Sequence, residues 1–140
     1  MMNINSEIQD SLDKILKSSP VIAGYIFGSR IRGIHSATSD LDMALVIDNP
    51  QEIDYTQMYS RLSKLFPDIE LDLRIVSSKT NLLFIFQILK NGKCIYSKDE
   101  KERIIFETRS MREFYDSEKI RQIYDYYLNK SLKEGNFGHG

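Results

Sequence analysis

A chain of 140 residues is enough for about one domain, and 41% hydrophobic with 28% charged residues fits a soluble globular protein and excludes a disordered one. Lys and Arg (19) nearly cancel Asp and Glu (20), leaving a net charge of −1, which excludes the broad cationic surface of a non-specific nucleic-acid binder. Cys94 is the single cysteine and cannot form an internal disulfide, Met1 to Ser19 carries Glu7, Asp10 and Asp13 in place of a signal-peptide core, and the densest apolar run, Leu82 to Leu89, is far short of the ~20 residues of a membrane span. The expectation is a cytoplasmic protein with neither a membrane nor a nucleic acid as direct partner.

In chain order, Ile4, Ile8, Leu12, Ile15 and Leu16 recur at helical spacing, and Ser18-Ser19-Pro20 ends that helix because proline disfavours helix in the residue before it. Val21 to Phe27, apolar and rich in β-branched and aromatic residues, predicts a buried strand. Asp40 to Ile47 predicts a second strand, closed by the turn signal Asp48-Asn49-Pro50. Ile53 to Phe66 reads as a helix with Met58, Leu62, Leu65 and Phe66 on one face. A third strand follows over Ile69 to Val76, with Leu71, Leu73 and Ile75 facing a core and Glu70, Asp72 and Arg74 opposite.

Thr80 to Lys90 predicts an apolar helix packed in the core and stopped at Asn91-Gly92. Cys94 to Tyr96 reads as a short edge strand, with Cys94 a small buried filler. From Asp99 to Leu132 the apolar residues keep a helical rhythm, long for one helix, and Asp116-Ser117 offers a start for a second. The order defines an α+β fold: a small mixed β-sheet with flanking helices and a long C-terminal helical region. One domain is expected over 1–134, its catalytic sheet at about 20–77 and its helical part at about 80–132, with a loose glycine-rich tail at 135–140.

Chemistry concentrates in Phe27-Gly28-Ser29-Arg30-Ile31-Arg32-Gly33 and Ser39-Asp40-Leu41-Asp42. A strand running straight into Gly-Ser lets the backbone approach a ligand closely and presents a hydroxyl beside free N–H groups, the physics of a phosphate cradle. It is not the Walker pattern, which requires a later Gly-Lys-Ser/Thr. Asp40 and Asp42, two apart on a strand, point to one face and repel unless a cation lies between them; oxygen donors of this kind select Mg²⁺ or Mn²⁺. Asp72 is the candidate third carboxylate, since it sits between leucines where an unpaired charge is costly. Glu70 shares its parity and competes for the role, and an ion pair with Arg74 is the structural alternative for Asp72.

These residues resemble the nucleotidyltransferase superfamily that includes DNA polymerase beta and kanamycin nucleotidyltransferase, whose signature is Gly-Ser, an intervening stretch, Asp-x-Asp and a later aspartate. Here ten residues, Arg30 to Ser39, separate Gly28-Ser29 from Asp40-Leu41-Asp42, a spacing similar to that of the minimal nucleotidyltransferases (MNT). Phe86 to Tyr96, Asp99 to Phe106, Arg112 to Asp116 and Arg121 resemble the antitoxin branch of that family, which is paired with HEPN-domain ribonuclease toxins. The likeness spans residues 20 to 130.

The resemblance implies ATP as donor, Mg²⁺ (two ions) as cofactor, and transfer of AMP to a tyrosine hydroxyl of a partner HEPN toxin. The transfer would silence the nuclease within a hetero-oligomer. Carried over, Gly28 and Ser29 hold the triphosphate, with Arg30 and Ser39 in the same nucleotide-binding set. Asp40 and Asp42 bind metal, and Asp72 completes the catalytic and metal site and assists deprotonation of the acceptor. Arg30 and Arg32 replace the small residues of many relatives, and a phosphate clamp and a solvated charge both stay open for them. His35 reads as solvated. Tyr115, Tyr124, Tyr126 and Tyr127 fit either a toxin-docking face or ordinary packing. The competing functions are transfer to a small-molecule hydroxyl, for which this chain lacks the usual second domain, and neutralisation by binding alone.

Overall fold

The computed structural model describes residues 4–28 and 40–133. Ser29, Arg30, Arg32, His35, Ser39 and the 135–140 tail lie outside the described residues. Helix α1 covers Ser6–Lys17 and strand β1 covers Ala23–Phe27. Strand β2 (Leu41–Val46) is followed by a 3₁₀ turn at Pro50–Glu52 and by helix α2 (Tyr55–Ser63). Strand β3 (Leu71–Val76), helix α3 (Leu82–Asn91), strand β4 (Lys93–Ser97) and helix α4 (Glu100–Lys133) complete the order. Side-chain caps fix three of the starts. Asn5, Asp54 and Asn81 each accept a backbone N–H from the first turn of the helix they precede.

The sheet runs β3-β2-β1-β4, with β2 and β3 parallel and the other pairs antiparallel, which is the mixed sheet the sequence predicts. Strand alternation divides the core in two. On one face Leu41, Met43, Leu45, Leu71 and Leu73 pack against Leu12 and Leu16 of α1 and Met58 and Leu62 of α2. On the other, Ala23, Tyr25, Ala44, Val46 and Val76 meet Ile85 and Ile88 of α3. The α1–α2 face is continuous to the sheet ends. The α3–α4 face carries Asp42 and Asp72 at the starts of β2 and β3, where apolar packing gives way to polar chemistry.

Helix α4 is tied to the sheet by a polar contact the sequence analysis missed. The buried Tyr25 hydroxyl donates to Glu107 Oε2 at 2.6 Å, Arg103 donates to the same carboxylate at 2.9 Å, and its other arm reaches Glu100 at 2.5 Å. Burial first, and then the Glu107 contact, push the Tyr25 hydroxyl's pKa above its ordinary value, so it stays a donor. The signal was a tyrosine in an otherwise apolar strand, whose hydroxyl needs a partner once buried. Farther along, the Phe86 and Phe114 rings stack at 3.9 Å between centroids, the last deep contact that α4 makes.

Two expectations change. Asp116-Ser117 starts no second helix: α4 is one helix of 34 residues. No Gly or Pro interrupts Glu100–Lys133, and Arg121 pairs with Glu118 one turn back at 2.7 Å, so nothing breaks the ladder. Cys94 is exposed rather than a buried filler. Tyr25 pairs with Cys94 and Gly24 with Tyr96, a bulge that gives Ile95 no register partner; Ile95 and Tyr96 both turn into the core and Cys94 is left outside. Partial desolvation still pushes the Cys94 thiol pKa up. Gly92 ends α3 as predicted, but for reasons of space rather than a left-handed turn. Its φ of −90° is ordinary, whereas a Cβ there would come within 2.5 Å of the Ile88 carbonyl oxygen and 3.0 Å of that of Ile26.

Candidate active site

The parallel register sets Asp42 directly beside Asp72, and the antiparallel register sets Asp42 beside Phe27, so the end of β1 meets the starts of β2 and β3. Gly28 follows with φ +93°, the left-handed region in which a side chain is strained. A Cβ on Gly28 would overlap Asp42 Oδ2. The glycine is therefore what lets the chain turn out of the sheet directly over the Asp42 carboxylate.

The two aspartates occupy one register position on adjacent parallel strands. Burial first, then the charge and contact of Asp72 and the charge of Asp40, raise the Asp42 pKa, with Arg74 opposing. Asp72 is half-buried and accepts from Arg74 Nε at 3.3 Å, an exposed pair that offsets part of the negative charge. The Asp72–Arg74 pairing weighed as an alternative is thus present, and it coexists with the register pairing of Asp42 and Asp72. Asp40 is exposed, one residue before β2. Glu70 is exposed and precedes β3, so Asp72, not Glu70, shares the register position with Asp42.

Among the described residues no three His, Cys, Asp or Glu side chains converge in a metal-holding arrangement. The donor set nevertheless fits one divalent cation. Asp42 and Asp72, adjacent carboxylates of which Asp42 has its charged form disfavoured by its neighbours, would hold a hard cation such as Mg²⁺, which would supply charge neutralisation there. Of the residues singled out in the sequence, the structure brings Gly28, Asp42 and Asp72 together and leaves Asp40 at the rim. Ser29, Arg30 and Ser39 fall outside the described residues.

A strand opening into a glycine turn over paired strand-borne carboxylates is the frame of a nucleotide-handling site. The family model described as Polymerase beta, Nucleotidyltransferase matches residues 10–101, and the chain belongs to that family; it is a nucleotidyltransferase. Solved structures agree in fold. A chain of a toxin–antitoxin complex with AMP-PNP superposes at a TM-score of 0.65, with 19% identity over 86% of this chain and 98% of that one. A chain of the tri-AMPylated Shewanella oneidensis HEPN toxin in complex with MNT antitoxin gives 0.61 at 18% identity, covering 89% and 99%. The MntA–HepT toxin–antitoxin complex gives 0.60 at 18% identity with the same coverage. No curated protein matches the sequence. Among the described residues no helix is long and apolar enough to cross a membrane.

Proposed function

We propose that this protein is a Mg²⁺-dependent protein adenylyltransferase that acts as an antitoxin, moving AMP from ATP to a tyrosine hydroxyl of a cognate HEPN ribonuclease toxin. The observation that carries the reading is the Asp42–Asp72 pair beneath Gly28 in a chain of this family. The fold likeness to complexes that hold AMP-PNP and an AMPylated HEPN toxin supports ATP as donor and the toxin as acceptor.

In this reading Gly28, Ser29, Arg30 and Ser39 cradle the triphosphate, and Asp40, Asp42 and Asp72 are the metal-holding and catalytic carboxylates. Bound Mg²⁺ supplies charge neutralisation on the triphosphate and on the departing pyrophosphate. The acceptor phenol attacks the α-phosphorus, a new P–O bond forms, and the bond to pyrophosphate breaks. The phenol, with a pKa near 10, is a poor nucleophile at neutral pH, and Asp72 receives or relays its proton. Asp42 and Arg74 flank Asp72 and hold its carboxylate in place.

A macromolecular acceptor is supported by the far end of α4. Ile120, Ile123, Tyr124, Tyr126 and Tyr127 are all more than half exposed on a helix that makes no buried contact after Phe114. Such a surface suits a protein interface. The test is intact mass spectrometry of the partner toxin after incubation with this protein, ATP and Mg²⁺. The reading predicts a gain of one or more adenylyl groups that is absent with Asp42→Ala. An unmodified toxin held in a stable complex would instead establish neutralisation by binding.

A further inference from the structure

One cavity lies away from the carboxylates. A cavity of about 340 Å³ lies at the opposite end of the sheet, between the last residues of β2 and β3, the start of α3 and the first half of α4. Asp42 and Val46 are four residues apart on one strand, which separates the two places by roughly 13 Å. The volume is at the lower end of what small-molecule sites occupy.

Its floor is apolar, made by Val46, Ile85 and Phe106. Ser110 lines it too, and the residue is only 8% exposed. Facing the cavity, its hydroxyl is placed to exchange water for a polar atom of a ligand. The rim carries Asp48, Glu102 and Glu113 against one cation, Arg109, a balance of −2. None of the four is in an ion pair among the described residues.

We infer that this cavity is a second binding site, for a small organic cation with an apolar body, such as an arylalkylamine. The apolar part lies on Val46, Ile85 and Phe106, the Ser110 hydroxyl meets a polar atom of the ligand, and the ammonium group sits among the rim carboxylates. The inference is independent of the transfer reaction proposed above.

The test titrates the full-length protein with phenethylamine, phenethyl alcohol and 3-phenylpropionate, followed by calorimetry and by amide chemical shifts. Saturable binding of the amine is expected, with shifts centred on Ile85 and Ser110, weaker binding of the alcohol and none of the acid. Glu102→Gln and Glu113→Gln should each weaken the amine by about threefold, the worth of a solvent-exposed ion pair. Ser110→Leu should intrude on the cavity, remove the hydroxyl and weaken binding, and the two glutamine variants, being on the surface, keep the test decisive should that protein not fold. Equal binding of amine and alcohol, tighter binding of the acid, no saturable binding, or full binding by folded Ser110→Leu would each overturn the inference.

Discussion

The sheet with its packed helices and the second half of α4 obey different rules. In the first, apolar residues are covered: Leu12, Leu16, Met43, Leu45 and Leu62 have no exposed surface at all. In the second, no residue after Phe114 is buried, although the helix runs on for nineteen residues, about 28 Å. Charge does not explain the contrast, because Ile120, Ile123, Tyr124, Tyr126 and Tyr127 stand among the charged residues. A helix stabilised by packing should end where packing ends. That this one continues accords with the reading proposed above, in which the sheet region holds the reaction and the distal helix meets a partner.

The sharpest way to break that comparison is to remove mass from each region. Leu45→Ala, at a fully buried position in the central strand, should cost about 2–5 kcal/mol in urea denaturation. Gly28→Ala should cost less, about 1–3 kcal/mol, because its φ of +93° strains any side chain and the new Cβ displaces Asp42. Nucleotide transfer should nonetheless be lost with it, and a folded, fully active Gly28→Ala enzyme would separate the turn from the site.

A smaller effect comes from Asp42 itself. Its folded pKa is raised, so between its unfolded and folded pKa values the native state binds more protons, and stability falls as pH rises through that window. With EDTA present, Asp42→Asn should therefore melt higher than the wild type at about pH 7, and the difference should vanish near pH 3, where both carboxyl states are protonated. Adding Mg²⁺ should stabilise the wild type and not the variant. The smallest change belongs to the distal helix: Ile123→Ser with Tyr124→Ser should shift the stability of the isolated protein by no more than about 0.5 kcal/mol at each site.

How far the sequence foretold the molecule follows the range of the forces involved. The strand around Leu71, Leu73 and Ile75 is a local alternation and was legible, whereas the helices expected from Ile4, Ile53 and Thr80 each start two residues later, behind the caps Asn5, Asp54 and Asn81 that periodicity alone does not register. The period of two put Asp40 and Asp42 on one face, but β2 begins at Leu41, so Asp40 stands before the strand. That Asp72 lies beside Asp42 depends on β3 pairing in parallel with β2 after the α2 crossover, a non-local choice that alternation leaves open. The bulge that expels Cys94, the Tyr25–Glu107 contact across 82 residues and the cavity beside Ser110 are tertiary events of the same kind. The unbroken α4 was within reach, for the absence of Gly and Pro between Glu100 and Lys133 outweighs the capping potential of Asp116-Ser117.

The central claim is that chemistry resides in the sheet and recognition in the distal helix. Gel filtration of the toxin mixed with Asp42→Asn, or with the Ile123→Ser/Tyr124→Ser double variant, followed by intact mass of the toxin, separates the two. The account predicts that Asp42→Asn co-elutes with an unmodified toxin, whereas the helix variant, equally stable, neither co-elutes nor modifies it at limiting concentration. A helix variant that binds and adenylylates the toxin as the wild type does would contradict it.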